Sequence, residues 1–581
     1  MPVMIDKKQL SKILDEISTL LEIKGENPFK SRAYMMAART ILAQSAEPRE
    51  LVDSGEIRRI KGIGSALAEK ITTLVETGKL AYYDDLKASV PSGLVEMTTI
   101  PGFGPKKVKK VYDAFGIQTI SELEYACKEN RLADLEGFGV KTQGKILQGI
   151  EFLKKYRDRH LFHRAEDAGN SLLEALKKQP GVVRAELAGS LRRKKETIKD
   201  IDIVVSADEG AANEIMAFFT GLPEVASVTG QGPTKSSVVL KQGIAADLRI
   251  MPDEKFPYIL HHFTGSAAHN TAMRGLAKKK GMKVSEHGLF SGQDELVPCQ
   301  TEADIFEALG LSYIPPELRE DNGEIAAAAE NRIPKLVEPA DIRGILHCHS
   351  TFSDGANTLE EMAEAVRKSG YEYFGICDHS QIVVYARGLE PERVREQHAL
   401  VDELNQQYDN FKILKGTECD ILNDGSLDYP DEILASFDFV VASVHSNLGM
   451  SSTDATQRVL RAIENPYVNI LGHPTGRLLL GRDGLPLDMR RVIAAAAQHQ
   501  VSLELNASPH RFDIDWRHCQ YAIEQGVLIS INPDAHSIEG LSDMKYGIGI
   551  ARKGWLTKQN ILNTLGLAEL ESFFRGKPNR A

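Results

Sequence analysis

The chain has 581 residues, 42% of them hydrophobic and 26% charged, which excludes a disordered chain and supports several apolar cores. Its formal net charge of −11 excludes a uniformly basic protein, yet residues 1–290 carry about +7 and residues 341–581 about −10. The split predicts a front half suited to phosphate and a back half able to devote acids to metals.

Three short segments at the front repeat one design: Ile60-Lys61-Gly62-Ile63-Gly64, Ile100-Pro101-Gly102-Phe103-Gly104 and Leu135-Glu136-Gly137-Phe138-Gly139. Each precedes a helical pattern carrying lysines, such as Lys106, Lys107, Lys109 and Lys110 after the second. The paired glycines permit a tight turn between helices, in which backbone N–H groups can approach a phosphate. The segments resemble helix-hairpin-helix elements, which bind DNA without reading its sequence, so Gly62, Gly64, Gly102 and Gly104 are the expected DNA contacts. The third turn carries Glu136 and is expected to be structural.

The next informative stretch is Gly189-Ser190-Leu191-Arg192-Arg193, then Asp200-Ile201-Asp202 at the head of an apolar run. Side chains in a strand alternate, so Asp200 and Asp202 project from one face. Two adjacent carboxylates repel unless a divalent cation lies between them, and Mg²⁺ held by carboxylates and substrate phosphates serves nucleotidyl transfer. Gly189-Ser190 opens a segment whose free N–H groups suit a triphosphate. Asp247, in a second alternating segment, is the expected third acid.

The pattern Gly-Ser-x-Arg-Arg … Asp-x-Asp resembles the nucleotidyltransferase signature of family X DNA polymerases, and the likeness continues into His262-Phe263-Thr264-Gly265-Ser266, Asn270 and Arg274. The resemblance implies that Asp200, Asp202 and Asp247 hold two ions, Mg²⁺ or Mn²⁺. It also implies that Gly189, Ser190, Arg193 and Gly265 bind the dNTP, while Asn270 and Arg274 read the nascent pair from the minor groove. His262 stands where vertebrate relatives carry Tyr, which implies modest discrimination against ribonucleotides. In repair members a lysine at the position of Lys70 forms a Schiff base with an abasic sugar, so Lys70 is the candidate lyase residue. Tyr34 matches that pattern, whereas Ala66 and Met35 replace residues that are often basic.

Residues 321–341, with an alanine run, Pro334 and Pro339, read as a linker. Beyond it, short apolar strands alternate with amphipathic helices, including Tyr373–Cys377, Phe411–Lys415, Phe437–Ser443, Asn469–Gly472, Val501–Asn506 and Leu528–Asn532. Such alternation predicts a parallel α/β barrel with function at the carboxyl ends of its strands. His347, His349, Asp354, His379, Glu418, His445, His473, Asp534 and His536 fall at those ends. Imidazoles and carboxylates in that number suit two or three ions of Zn²⁺, Mn²⁺ or Fe²⁺. The set resembles the polymerase and histidinol phosphatase (PHP) family, with every ligand position filled, and so implies a phosphoesterase. Arg387, Lys415, Arg477 and Arg511 are candidates for the substrate phosphates, Tyr385 for stacking on a base, and Trp516 for core packing.

The expected architecture is therefore multidomain, α+β and α/β, similar to the bacterial PolX type. It comprises a small helical lyase-like domain (1–85), a fingers-like helix-hairpin-helix domain (86–155), a nucleotidyltransferase palm (156–250) and a thumb (251–320). The linker (321–341) and a distorted (β/α) barrel of PHP type (342–581) follow. The resemblance implies a monomeric gap-filling DNA polymerase of base excision repair with a 3′–5′ exonuclease, acting on gapped or primer-template DNA and dNTPs. Removal of 3′ phosphates and cutting at abasic sites are the further activities it implies. The rival is a DNA-binding platform carrying a nuclease or phosphatase. With no bilayer-spanning run and no secretory leader, a cytoplasmic, nucleoid-associated protein is expected. The six cysteines (Cys127, Cys299, Cys348, Cys377, Cys419, Cys519) contain no Cys-x-x-Cys pair, which excludes a zinc ribbon and fits reduced thiols.

Overall fold

The structure, a computed structural model, describes residues 5–576 apart from 43, 45, 134, 157 and 293, and omits the side chains of 154–156. The chain divides into two compact units, Met1–Arg157 and Asp158–Ala581.

The first unit is helical. Its opening helix, Lys7–Lys24, is fixed by a capping box in which Asp6 accepts from Gln9 N and Gln9 answers at the Asp6 N–H. Leu10, Leu14, Ile17 and Leu21 of that helix bury one stripe, as an amphipathic period demands. A single apolar cluster joins them to Ile63, Phe103, Phe138 and Ile150. The two helical domains read from the sequence thus share one core, because each hairpin is too short to bury its own apolar residues.

The second unit begins with a five-stranded sheet. Its strands are β1 (Val182–Leu187), β2 (Asp200–Ala207), β3 (Val225–Gln231), β4 (Lys235–Leu240) and β5 (Ala245–Met251), in spatial order β1-β2-β5-β4-β3. Only β2 and β5 run parallel, and their register sets Asp202 directly beside Asp247. β5 alternates buried aliphatics with half-buried positions throughout, and β2 does so over Asp200–Ile203, so the acids share the face opposite the core.

Seven parallel strands follow in sequential order: β6 (Gly344–Cys348), β7 (Tyr373–Ile376), β8 (Lys412–Asp420), β9 (Phe439–Ser443), β10 (Val468–Leu471), β11 (Ser502–Asn506) and β12 (Ile529–Asn532). The first and last come together: Leu346 N donates to Asn532 Oδ1 (3.2 Å) and His349 N to Ala535 O (2.9 Å). Six of these strands are buried along their whole length and β8 along most of it, as parallel strands covered on both faces are. One apolar cluster continues from the palm sheet into the barrel.

Segment 321–341 is not a linker. Gly323, at φ 91°, starts a helix over Glu324–Ala329, and Ala328 and Leu336 enter a core with Met273 and Phe306. Glu324 is buried, accepts from the backbone of Asp321 and Asn322, and lies 2.6 Å from His269 Nδ1. Val337 N then donates to Leu556 O (3.0 Å), so the segment is tied at both ends. Alanine and proline resemble a flexible spacer in composition, but here small side chains permit close packing.

Candidate functional sites

In the helical unit, Gly62 and Gly102 take φ of 97° and 74°, which a side chain would strain. Gly64 and Gly104 instead cap the helices Ser65–Thr77 and Pro105–Phe115 in ordinary extended conformation. A Cβ at any of the four would meet nothing within 4 Å, so space remains beside these N–H groups for an outside ligand. Ile63 and Phe103, between the glycines, are buried and anchor the turns. In the third hairpin, Phe138 packs edge-on to Phe103 (6.2 Å) and Glu136 lies 3.3 Å from Lys110, linking it to the second hairpin.

Lys70, on the helix after the first hairpin, donates from Nζ to Tyr34 Oη (2.9 Å) and sits 3.7 Å from the Tyr82 ring centre. Burial and then the Lys30 charge lower its pKa, the condition an amine nucleophile needs. Lys30 and Tyr82 escaped the sequence reading, although Lys30 lies one helical turn before Tyr34 and so shares its face.

In the palm, a cleft of about 460 Å³ is lined by Gly189, Ser190, Arg193, Asp200, Asp202, His262, Gly265, Asn270 and Arg274. Gly189 has φ 61°, and a Cβ there would fall 2.1 Å from Asp202 Oδ2, so only glycine lets the turn approach the acid. Burial, then Asp200 and Asp247, push the Asp202 carboxyl up to about 7. Asp247 is held by Ser237 Oγ (2.6 Å) and by Lys235 Nζ (2.7 Å), a cation beside the acid cluster. Three carboxylates so placed are a hard-oxygen donor set that fits a divalent ion.

Asn270 Nδ2 donates to His262 O (2.7 Å) and Gly265 O (3.2 Å), fixing the turn before its own helix, Ala267–Lys279. Arg274, one turn on, is exposed and donates to Thr271 Oγ1. His262 lies 3.7 Å from Glu286, and burial lowers its pKa. Arg193 is already engaged: Nε donates to Glu320 Oε1 (3.0 Å) and Nη1 to Thr264 O (2.8 Å).

At the barrel mouth all nine expected residues converge. Three groups place their donor atoms within 4.8 Å of one another: His349, Asp354, His379 and His536; His347, His349 and Asp534; and His379, Glu418 and His445. Glu418, on β8, joins them, at 2.9 Å from His379 Nδ1, 3.2 Å from His445 Nε2, 2.8 Å from His473 Nε2 and 3.5 Å from His347 Nε2. Burial would raise its carboxyl, but His445, His379 and His347 hold it well below the usual range. His347 Nε2, His349 Nδ1 and Glu418 Oε2 are buried without a hydrogen-bond partner among the described residues. Donors so oriented, at a cost unless satisfied, fit bound divalent ions.

Three supporting acids were missed. Glu504 on β11 meets His347 Nδ1 at 2.7 Å and accepts from His473 N (2.7 Å), leaving His347 Nε2 to face the cluster. Asp420 meets His445 Nδ1 at 2.9 Å. Asp378 accepts from Ser350 N (2.9 Å) and Gln397 Nε2 (2.6 Å), bracing the loop after β6. Asp420 could have been found, since it stands two residues after Glu418 on one strand face.

Of the proposed phosphate grips, Arg511 lies 3.6 Å from Asp534, and Arg387 is exposed. Lys415 is instead paired with Asp402 (2.7 Å) and Arg477 with Asp515 (2.7 Å), so both charges serve the fold. Tyr385 is 78% exposed. Trp516 is buried and donates from Nε1 to Glu196 (3.0 Å), which is packing, as expected.

No helix among the described residues is long and apolar enough to cross a membrane. Family models match four stretches: a helix-hairpin-helix domain over 5–80, a SAM-like helix-hairpin-helix tandem over 94–151, a DNA polymerase beta thumb over 259–320 and a PHP domain over 346–507. A probable phosphatase of Thermoanaerobacter sp. (strain X514) is 27% identical over 40% of this chain and 95% of its own length. DNA polymerase lambda of Rattus norvegicus is 27% identical over 53% of this chain and 55% of its own. The DNA polymerase/3'-5' exonuclease PolX of Bacillus subtilis (strain 168) is 39% identical over 98% of this chain and 99% of its own, and at that likeness the chain belongs to the PolX family of family X DNA polymerases.

Proposed function

We propose that the chain is a monomeric DNA-directed DNA polymerase that fills short gaps in DNA repair and trims 3′ ends with its barrel. The observation that carries the first activity is the register of Asp202 against Asp247 beneath the Gly189 turn. Asp200, Asp202 and Asp247 would hold Mg²⁺ or Mn²⁺, which supplies charge stabilisation at the primer 3′ oxygen and the triphosphate. Gly189 and Ser190 line the palm cleft, and their N–H groups would take the phosphates. Asn270 and Arg274 line the same cleft and would contact the nascent pair from the minor groove. Gly62, Gly64, Gly102 and Gly104 leave room for the phosphates of gapped or primer-template DNA.

The nine barrel residues would hold two or three ions of Zn²⁺, Mn²⁺ or Fe²⁺, which supply hydroxide and stabilise the leaving oxygen. Arg511 stands where a scissile phosphate could be met. On this reading residues 1–85 carry the lyase-like function, with Lys70 as its amine, and 86–155 the second DNA contact. Residues 156–250 form the palm, 251–341 an extended thumb and 342–581 the exonuclease, which also takes 3′ phosphates and abasic sites. The test is a gapped duplex with labelled primer and Mg²⁺ or Mn²⁺, with and without dNTPs. Primer lengthening with dNTPs and shortening without them is expected. Shortening alone would leave the rival reading, a DNA-binding platform for a nuclease.

A further inference from the structure

We propose that Lys553, a residue of the barrel, is a positioning residue for nucleotide addition in the palm. The proposal rests on the polymerase reading above and adds a requirement that this reading does not contain.

A four-residue helix, Gly189–Arg192, places Gly189 and Ser190 in the lining of the cleft. So short a helix has no stability of its own and needs an external brace. The brace comes from the far end of the barrel helix Met544–Lys553. Lys553 Nζ, fully buried, donates to the carbonyl of Arg193 (3.0 Å), to Glu317 O (3.3 Å) and to Glu320 Oε1 (2.6 Å). Glu320 in turn receives Arg193 Nε at 3.0 Å and lies 3.5 Å from Lys195 Nζ. One ammonium thus fills three acceptors, and one carboxylate serves three cations. Burial lowers the Lys553 pKa and the Glu320 charge works against that shift; the net value of about 8 leaves the ammonium protonated at neutral pH.

The barrel also grips the segment beyond the turn. Trp516 Nε1 and Arg517 Nη1 both donate to Glu196 (3.0 and 2.9 Å), and the Trp516 ring centre lies 4.7 Å from Lys553 Nζ. The Lys194 stem passes close to Gly549, where a Cβ would sit 3.4 Å from Lys194 Cδ. Residues 193–196 are therefore held from the barrel side while residues 189 and 190 line the cleft. Without Lys553 the Arg193 carbonyl and the Glu320 carboxylate lose a buried partner, and the turn is free to shift. The phosphate hold should weaken first, because a displaced donor costs nucleotide binding before it costs chemistry.

The test uses the full chain with Lys553→Met, Lys553→Arg and Glu320→Gln. Steady-state kinetics on a one-nucleotide gap give KM for dNTP and kcat, and single-strand degradation reports the barrel. For Lys553→Met the expected result is a KM at least tenfold higher, kcat within about threefold and unchanged degradation. Lys553→Arg, which keeps charge and donors, should restore KM to within about threefold. An unchanged KM in Lys553→Met overturns the proposal. Equal loss of both activities in Lys553→Met marks a structural role and overturns it, unless the less disruptive Glu320→Gln shows the KM-selective loss. A wild-type chain that cannot extend a primer would instead refute the polymerase reading itself.

Discussion

The palm offers three carboxylates on two adjacent interior strands, with a lysine against one of them. The barrel mouth gathers nine candidate ligands, most of them buried, each histidine backed by neighbouring acids or rings. Ions held by the first site would need substrate phosphates to complete their coordination, whereas the second has its candidate donors gathered before any substrate arrives. The palm should therefore exchange its ions with each nucleotide, and the barrel should retain its own through dialysis.

The sharpest way to break that contrast is to delete a ligand from each side. Asp247→Ala should lower nucleotide addition by about a thousandfold or more and leave 3′–5′ degradation within about threefold. His347→Ala with His349→Ala should do the reverse and also lower the bound metal measured by elemental analysis. A double variant that keeps its metal and still digests primers would end the assignment of the barrel as the nuclease.

A smaller effect is expected one layer out. Glu504→Gln removes the carboxylate that orients His347 and should reduce metal affinity and degradation by about 10–100-fold. The palm has fewer supports of this kind, so its sensitivity lies in charge. With Asp202 pushed up to about 7, its carboxyl is protonated below that pH, and metal binding must displace the proton. Apparent Mg²⁺ affinity should fall by up to about tenfold per unit as pH drops below 7. The linkage runs the other way for the metal-free fold. The native state keeps a proton that the unfolded chain releases near 3.8, so this stabilisation is lost as pH rises through about 7. Thermal melts with and without Mg²⁺ between pH 5 and 8 test both signs.

The least expected change concerns the sugar. His262, beside Phe263 and 3.7 Å from Glu286, carries an imidazole, a smaller ring than a phenol. Ribonucleotides should be inserted with kcat/KM within about a hundredfold of the deoxynucleotide. Much stronger rejection would assign the exclusion to the backbone of residues 263–265.

The gathering of the residues at both candidate sites was largely legible in the sequence, because each rests on a period that survives folding. Asp200 and Asp202 sit two apart on a strand, and the histidines follow apolar runs that became β6 to β12. Groups that act through partners distant in the chain were not legible. Glu504 is one acid in an apolar strand, and nothing local announces that it meets His347. Arg193 reads as a free phosphate ligand until Glu320, far along the chain, is found against it. The alanines of 326–329 read as slack for the same reason: small residues signal either freedom or close packing, and only the neighbours decide which.

The continuous apolar core between palm and barrel has a consequence for proofreading. Two catalytic centres that share one interior cannot swing toward each other. On the proposed reading, a mispaired primer end would have to leave one and travel to the other. The fidelity of this chain then becomes a race between the next insertion and strand release, set by how slowly the palm extends a mismatch.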